Sequence, residues 1–291
     1  MTTPSLSHAR HDRAHCGAPG LFRALQCGER KKSKLETEFY YPSSDTTVFF
    51  WGPEPLGAED LRVLYAIVAE ASQKDRGGVL RPESGTEKNL ELRSLIGLNG
   101  NTENEIAMAV KTDLKRIACE AGYRTDNGKI IREVRECIRR LSAVTIYVSH
   151  GNEETESRIL NMKRIQEDGR KNGSVEIVLN PRIARAIADD KQYIRINLEE
   201  VRSLNLKPAV IMHQWLCSWI NPGATRSVNL DRLMDRVWQQ PASPGQPYKN
   251  RRQKARKCLQ ELQKVGWGAD IDQTDTVHIT RPKTERNAAQ K

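Results

Sequence analysis

The chain has 291 residues and a formal net charge of +10, with 37% hydrophobic and 5% aromatic residues. A mean hydropathy of −0.66 argues against a membrane-spanning chain. So does the longest apolar-rich stretch, 209–220, which His213, Gln214 and Ser218 interrupt and which falls short of the roughly 20 apolar residues a span needs. The basic balance points to an anionic partner, either nucleic acid or an acidic membrane surface.

In chain order, residues 1–35 read as a basic N-terminal arm, with a short amphipathic helix near 21–25 and the run Arg30-Lys31-Lys32. The arm has no apolar core of a secretory signal. Segments 39–41 and 48–51 predict two short strands around the turn PSSD. Leu61, Leu64, Ile67 and Val68 fall at helical spacing. Residues 72–104 are rich in Gly, Ser, Asn and charge, and read as a loop with one short helix. Helices are expected over 112–121 and 129–141, separated by the turn GYRTDNG. Strand-like VTIYVS follows, then a second strand near 157–160, then SVEIVLN, with Asn180-Pro181 opening a helix. After the strand QYIRINL come helices over 207–220 and 229–238, the second with Asn229 as N-cap. The linker QQPASPGQP leads into a helix over 248–265. Strands near 267–271 and 276–280 flank DQTD, and the tail RPKTERNAAQK has little to bury.

Two segments align at an offset of 121 residues: VRECIRRLSAV over 134–144 and ARKCLQELQKV over 255–265. Each sits on a third helix that runs into a strand–turn–strand. Helix, helix, helix, two-stranded wing is the order of a winged helix, a helix-turn-helix variant. The expected fold class is therefore α+β, with two tandem winged-helix domains at 36–180 and 181–281 and a flexible tail at 282–291.

The third helix of such a domain enters the DNA major groove. The second copy carries six Lys or Arg within 249–257. With Leu262 at the centre of the buried face and 100° per residue, Lys249, Gln253, Arg256 and Gln260 point away, with Asn250 and Lys257 beside them. The expected DNA-binding set is Lys249, Asn250, Arg252, Gln253, Arg256 and Lys257, joined in the first copy by Lys129, Arg132, Arg135 and Arg139. Cations meet phosphates and supply salt-dependent affinity; Gln253 and Asn250 are of the type that reads adenine. The bland alternative is a solvated basic helix with nothing bound.

Other motifs carry less. HARHDRAHC brings His8, His11, His15 and Cys16 together but matches no zinc-finger spacing. GYRTDNGK has five residues between its glycines and Ile130 where a phosphate loop needs Ser or Thr. Asp231 and Asp235 share a helix face, each followed by Arg, which suits surface ion pairing. The six cysteines form no CxxC and read as reduced thiols of a cytoplasmic protein. No catalytic constellation stands out, so neither enzyme activity, nor a cofactor, nor a metal is expected.

The stretches SLSHARHDRAHC, APGLFRAL, GERKKSKL, GPEPLGAEDLR, LNPRIA, LCSWINPG, RRQKAR and ITRPK resemble the RepC replication initiator family of IncQ-type broad-host-range plasmids. The match spans nearly the whole chain and is weakest over 72–110. The resemblance implies binding to directly repeated iterons in double-stranded plasmid origin DNA and opening of adjacent A·T-rich DNA. It also implies admission of a plasmid-encoded helicase, followed by a plasmid-encoded primase. The wings and basic arm would hold phosphates, and a second copy, as a homodimer, is a further candidate partner. The competing reading is a winged-helix transcriptional regulator; a nucleic-acid enzyme is a third class, without supporting residues.

Overall fold

The computed structural model of the chain describes residues 4–41, 45–98, 104–125, 128–164, 174–188 and 193–283. The chain opens with strand β1 (His8–Asp12) and the short helix α1 (Arg13–Gly17), whose N-cap Asp12 accepts from the His15 amide at 2.8 Å. The hairpin β2 (Leu35–Tyr41) and β3 (Thr46–Gly52) follows, then helix α2 (Ala58–Ala71). Twelve of the fourteen α2 residues are buried, which makes it a central core helix rather than an amphipathic surface one.

Next come β4 (Gly77–Leu80), α3 (Glu87–Ser94), β5 (Ala107–Thr112), α4 (Leu114–Glu120) and α5 (Gly128–Ser142). Strands β6 (Thr145–His150) and β7 (Glu153–Arg158) form the wing that α5 leads into. The wing joins the first hairpin in an antiparallel sheet of order β2-β3-β6-β7. A second sheet, of order β4-β5-β9-β8, adds β8 (Leu160–Arg164) and β9 (Val175–Leu179). Helix α6 (Pro181–Ala188) completes this unit.

The second unit contains β10 (Tyr193–Asn197), α7 (Leu198–Ser203), α8 (Lys207–Trp219), β11 (Thr225–Asn229), α9 (Leu230–Trp238), α10 (Gln246–Lys264), β12 (Gly268–Ile271) and β13 (Thr276–Thr280). Strand β13 lies between β11 and β12, antiparallel to both. Helix, strand, two helices and a wing is the winged-helix order. The sequence repeat is a repeat of burial as well. Val134 and Ala255, Cys137 and Cys258, Ile138 and Leu259, and Leu141 and Leu262 are all buried.

Three expectations change. No helix forms at 21–25; Phe22 instead bridges Leu56, and Leu21, Phe22 and Ala24 are buried by tertiary contacts, because so short a run does not hold a helix alone. The region 72–104 contains strand β4 beside its helix α3. Gly77 is required there, since a Cβ would stand 1.7 Å from the Ala71 carbonyl oxygen. Strands β1 and β11 and helices α1 and α7 also form where no strand or helix was expected.

The N-terminal residues lie against the junction of the two units. Strand β1 pairs antiparallel with β10, Ala9 opposite Ile196 and His11 opposite Ile194. Glu120, buried at the end of α4, accepts from the Ser5 and Leu6 amides at 2.9 and 3.1 Å and from Arg202 of α7 at 2.7 Å. Arg281 donates to the carbonyls of Cys217, Ile220 and Arg195 at 2.8, 2.9 and 2.6 Å. One hydrophobic cluster runs through both units. The tail from 284 onward lies outside the described residues.

Candidate nucleic-acid interface

Helix α10 starts at Gln246, two residues earlier than expected, after Gly245 at φ 88° and with Pro247 in its first turn. Proline there fixes the helical φ and gives up an amide that has no intrahelical acceptor. No acidic residue occupies the first turn, so its positive dipole end adds to the six cations. The C-terminal half is anchored by Ala255, Cys258, Leu259 and Leu262, all buried. Glu261 in that half accepts from the Asn205 and Leu206 amides at 2.9 and 2.8 Å, at the entrance to α8.

The exposed side of the N-terminal half carries Lys249, Asn250, Gln253, Lys254, Arg256 and Lys257. Asn250 accepts from Gln246 at 2.8 Å. Among the described residues the side chains of Lys249, Gln253 and Lys257 have no hydrogen-bond or ion-pair partner. Arg251 turns back over the Trp238 ring, 5.4 Å from its centroid, and donates to the Gln240 carbonyl.

Arg252 differs from the other members of the expected set. Its side chain is 17% exposed and reaches Asp231 at the start of α9 at 3.1 Å. It also pairs with Asp275 in the wing turn and donates to the Tyr248 hydroxyl at 2.9 Å. Tyr248 in turn donates to Asp231 at 2.8 Å, and Arg256 reaches Asp275 at 3.1 Å. Arg252 is therefore a clamp joining α9, α10 and the wing. Asp231, expected to join surface ion pairs, pairs with Arg252; Tyr248 and Asp275 are the residues that the sequence reading missed here. The spacing of Tyr248 and Arg252, four apart on one helix, is the only trace of them in sequence.

Helix α5 presents the corresponding face with a different balance. Lys129, Arg132 and Arg139 are exposed and Arg135 is half-buried. Lys129 stands 3.9 Å from Glu133, and Arg139 stands 2.8 Å from Glu136 and 3.5 Å from Glu54. Arg132 and Arg135 have no ion-pair partner among the described residues. Arg140 points the other way, to the buried Asp60 at 2.8 Å, which Arg30 reaches at 2.9 Å. That pairing ties α5 to α2 and takes Arg30 of the basic run out of the solvent-facing charge.

The wing turns carry no lysine or arginine for phosphate contacts, and Arg158 at the end of β7 donates to the Ser142 carbonyl. The turn of the second wing holds Asp272 and Asp275; Asp272 accepts from the Thr274 hydroxyl and from the Thr276 and Thr274 amides, which keep its carboxyl down at about 2. The first wing holds Glu153, Glu154 and Glu156 in β7. Asp272 shapes its turn and Asp275 anchors Arg252 and Arg256, and carboxylates at all these wing positions repel a phosphate backbone.

Among the described residues no group of three His, Cys, Asp or Glu could hold a metal, and no helix is long and apolar enough to cross a membrane. His11 and His15 are buried with rings 6.2 Å apart, and His11 packs edge-on to Tyr65. A model of the Replication protein C (RepC) family matches residues 3–283. The chain belongs to the RepC family. No curated protein matches this RepC chain in sequence. Its fold is similar to crystal structures of domains 2 and 3 of RctB. One has a TM-score of 0.60 at 11% identity over 94% of this chain and 99% of that one. Another has 0.55 at 11% identity over 92% and 95%. The Pi initiator protein in complex with iteron DNA aligns over 61% of the RepC chain and 82% of its own, with 13% identity and a TM-score of 0.44.

Proposed function

We propose that this replication protein acts at a plasmid's vegetative origin by binding directly repeated iterons in double-stranded DNA. It promotes opening of the adjacent A·T-rich DNA and helps load the plasmid helicase, with the primase acting afterwards. It works by binding, without catalysis or a cofactor. The observation that carries the reading is the duplicated third helix: α5 and α10 bury the same positions and leave outward faces that bear cations.

In this reading α5 and α10 enter successive major grooves. Lys249, Arg256 and Lys257, with Lys129, Arg132, Arg135 and Arg139, hold phosphates, and Gln253 and Asn250 read base edges. Arg252 positions the helix from behind. Several copies on neighbouring iterons bend the duplex, and the strain is released at flexible pyrimidine–purine steps nearby.

Hydroxyl-radical footprinting and permanganate probing of a supercoiled origin test this together. Protection of tandem direct repeats, with new permanganate reactivity in the A·T-rich block, is expected. Protection of a single promoter palindrome alone would favour a transcriptional regulator. Protected repeats without new reactivity would remove the opening step.

A further inference from the structure

We propose that the outward face of the β2-β3-β6-β7 sheet docks a cationic protein segment, one rich in arginine and lysine. The face is built by strand alternation. Glu38, Phe49, Tyr147 and Glu156 form one continuous row across the four strands, each opposite the next. The two aromatic side chains stand on the central strands, with rings 6.0 Å apart and nearly parallel. The two carboxylates stand on the outer strands. On the neighbouring row Trp51, 36% exposed, lies opposite Glu36. Glu154 lies on the other flank, opposite Ser149. A shallow concavity of about 610 Å³ opens over Phe49, Trp51 and Tyr147 between Glu38 and Glu154.

Glu36, Glu38, Glu154 and Glu156 have no ion-pair partner among the described residues. The one basic side chain of the face, Arg158, donates to the Ser142 carbonyl at 3.0 Å. An acidic border around one exposed and two partly buried aromatic rings repels nucleic acid and attracts guanidinium and ammonium groups, which also stack on aromatic faces. Four strands about 4.8 Å apart give a width of roughly 14 Å, enough for one extended segment or one helix. A second copy seated through the same face would set glutamates against glutamates, so charge disfavours that occupant. The site is separate from the α5 and α10 faces and does not depend on the DNA reading.

The test uses the full chain without DNA and a short fluorescein-labelled Arg-Gly repeat peptide, followed by anisotropy. Because the chain carries +10 overall, general electrostatics opposes this peptide, and binding has to be local. The expected result is saturable binding that weakens at least about tenfold in Glu38→Lys/Glu156→Lys. Trp51→Ala also weakens it, with unfolding midpoints unchanged. Equal affinity in wild type and the charge-reversed variant, or no binding to wild type, would overturn the proposal. So would a monomer–dimer equilibrium abolished by the same charge reversal with the peptide unbound, since a second copy would then own the face.

Discussion

The Arg252 guanidinium stands 3.1 Å from the Asp231 carboxylate of α9 and at the same time pairs with Asp275 of the wing. One side chain of the most basic helix thus holds three elements in register and leaves its neighbours to face outward. Arg252→Ala is expected to cost about 1.5–3 kcal/mol of stability, the range for hydrogen bonds to charged groups. Arg252→Lys should recover only part of it, because one ammonium does not span two carboxylates as a fork does. Urea unfolding measures this. An unchanged midpoint with lost DNA binding would make Arg252 a direct contact instead.

The two outward faces should contribute unequally to DNA affinity. Helix α5 interleaves Glu133 and Glu136 with its cations, while the 249–257 span of α10 contains no acid. Arg256→Ala is therefore expected to weaken iteron binding more than Arg135→Ala. Equal losses in a titration would contradict the asymmetry.

Gln253 is exposed among cations and has no partner among the described residues. If it reads a base, Gln253→Ala removes about 1–3 kcal/mol of discrimination at one base pair, while Lys257→Ala weakens all sequences alike and lowers the salt slope by about one. Binding of Gln253→Ala to iteron and random duplexes separates these outcomes. Parallel losses on both would assign Gln253 to positioning.

Stability should fall on the alkaline side because of His213. The ring is fully buried, 2.8 Å from Glu200, which also accepts from the Trp267 indole at 2.8 Å. Burial opposes its charge, but the Cys217 sulfur and the Glu200 carboxylate outweigh it and raise its pKa from 6.5 to about 9. A raised folded-state pKa stabilises fully below the unfolded value and is lost as pH climbs through the folded one. Urea midpoints are expected to decline between pH 6.5 and about 9, and His213→Gln to flatten that decline. An equal slope in the variant would place its origin elsewhere.

On the acid side His11 acts with the sign reversed. Burial first, and then the neighbouring His15, depress its pKa to about 3, with Asp12 acting the other way. The neutral ring is stabilising above about 6.5, and that contribution is lost as pH falls toward 3. His11→Phe is expected to reduce the loss of stability between pH 6.5 and 4.5. A variant as acid-sensitive as wild type would contradict this.

Much of the frame was legible because periodic burial writes itself into sequence. The stripe of Ile138 and Leu141, matched by Leu259 and Leu262, marked both third helices, and Asn229 marked the start of α9 as the N-cap it is. Strand β11, TRSVN, was not legible, since it is exposed along most of its length and shows no apolar alternation. Strand β1, HARHD, hides because its inward residues are Ala9 and a histidine. The site was legible in its charge and not in its orientations. Whether Arg252 faces solvent or Asp231 is decided by residues from three separate elements, which helical spacing does not contain.

Sequence-specific reading of an origin repeat by the two helices is the property to measure. Fluorescence anisotropy with one cognate iteron duplex beside a scrambled duplex, at several salt concentrations, tests it most directly. Iteron binding at least about 10³ tighter than scrambled is expected. Equal affinities with a steep salt slope would contradict it, leaving α5 and α10 as grips on the phosphate backbone alone.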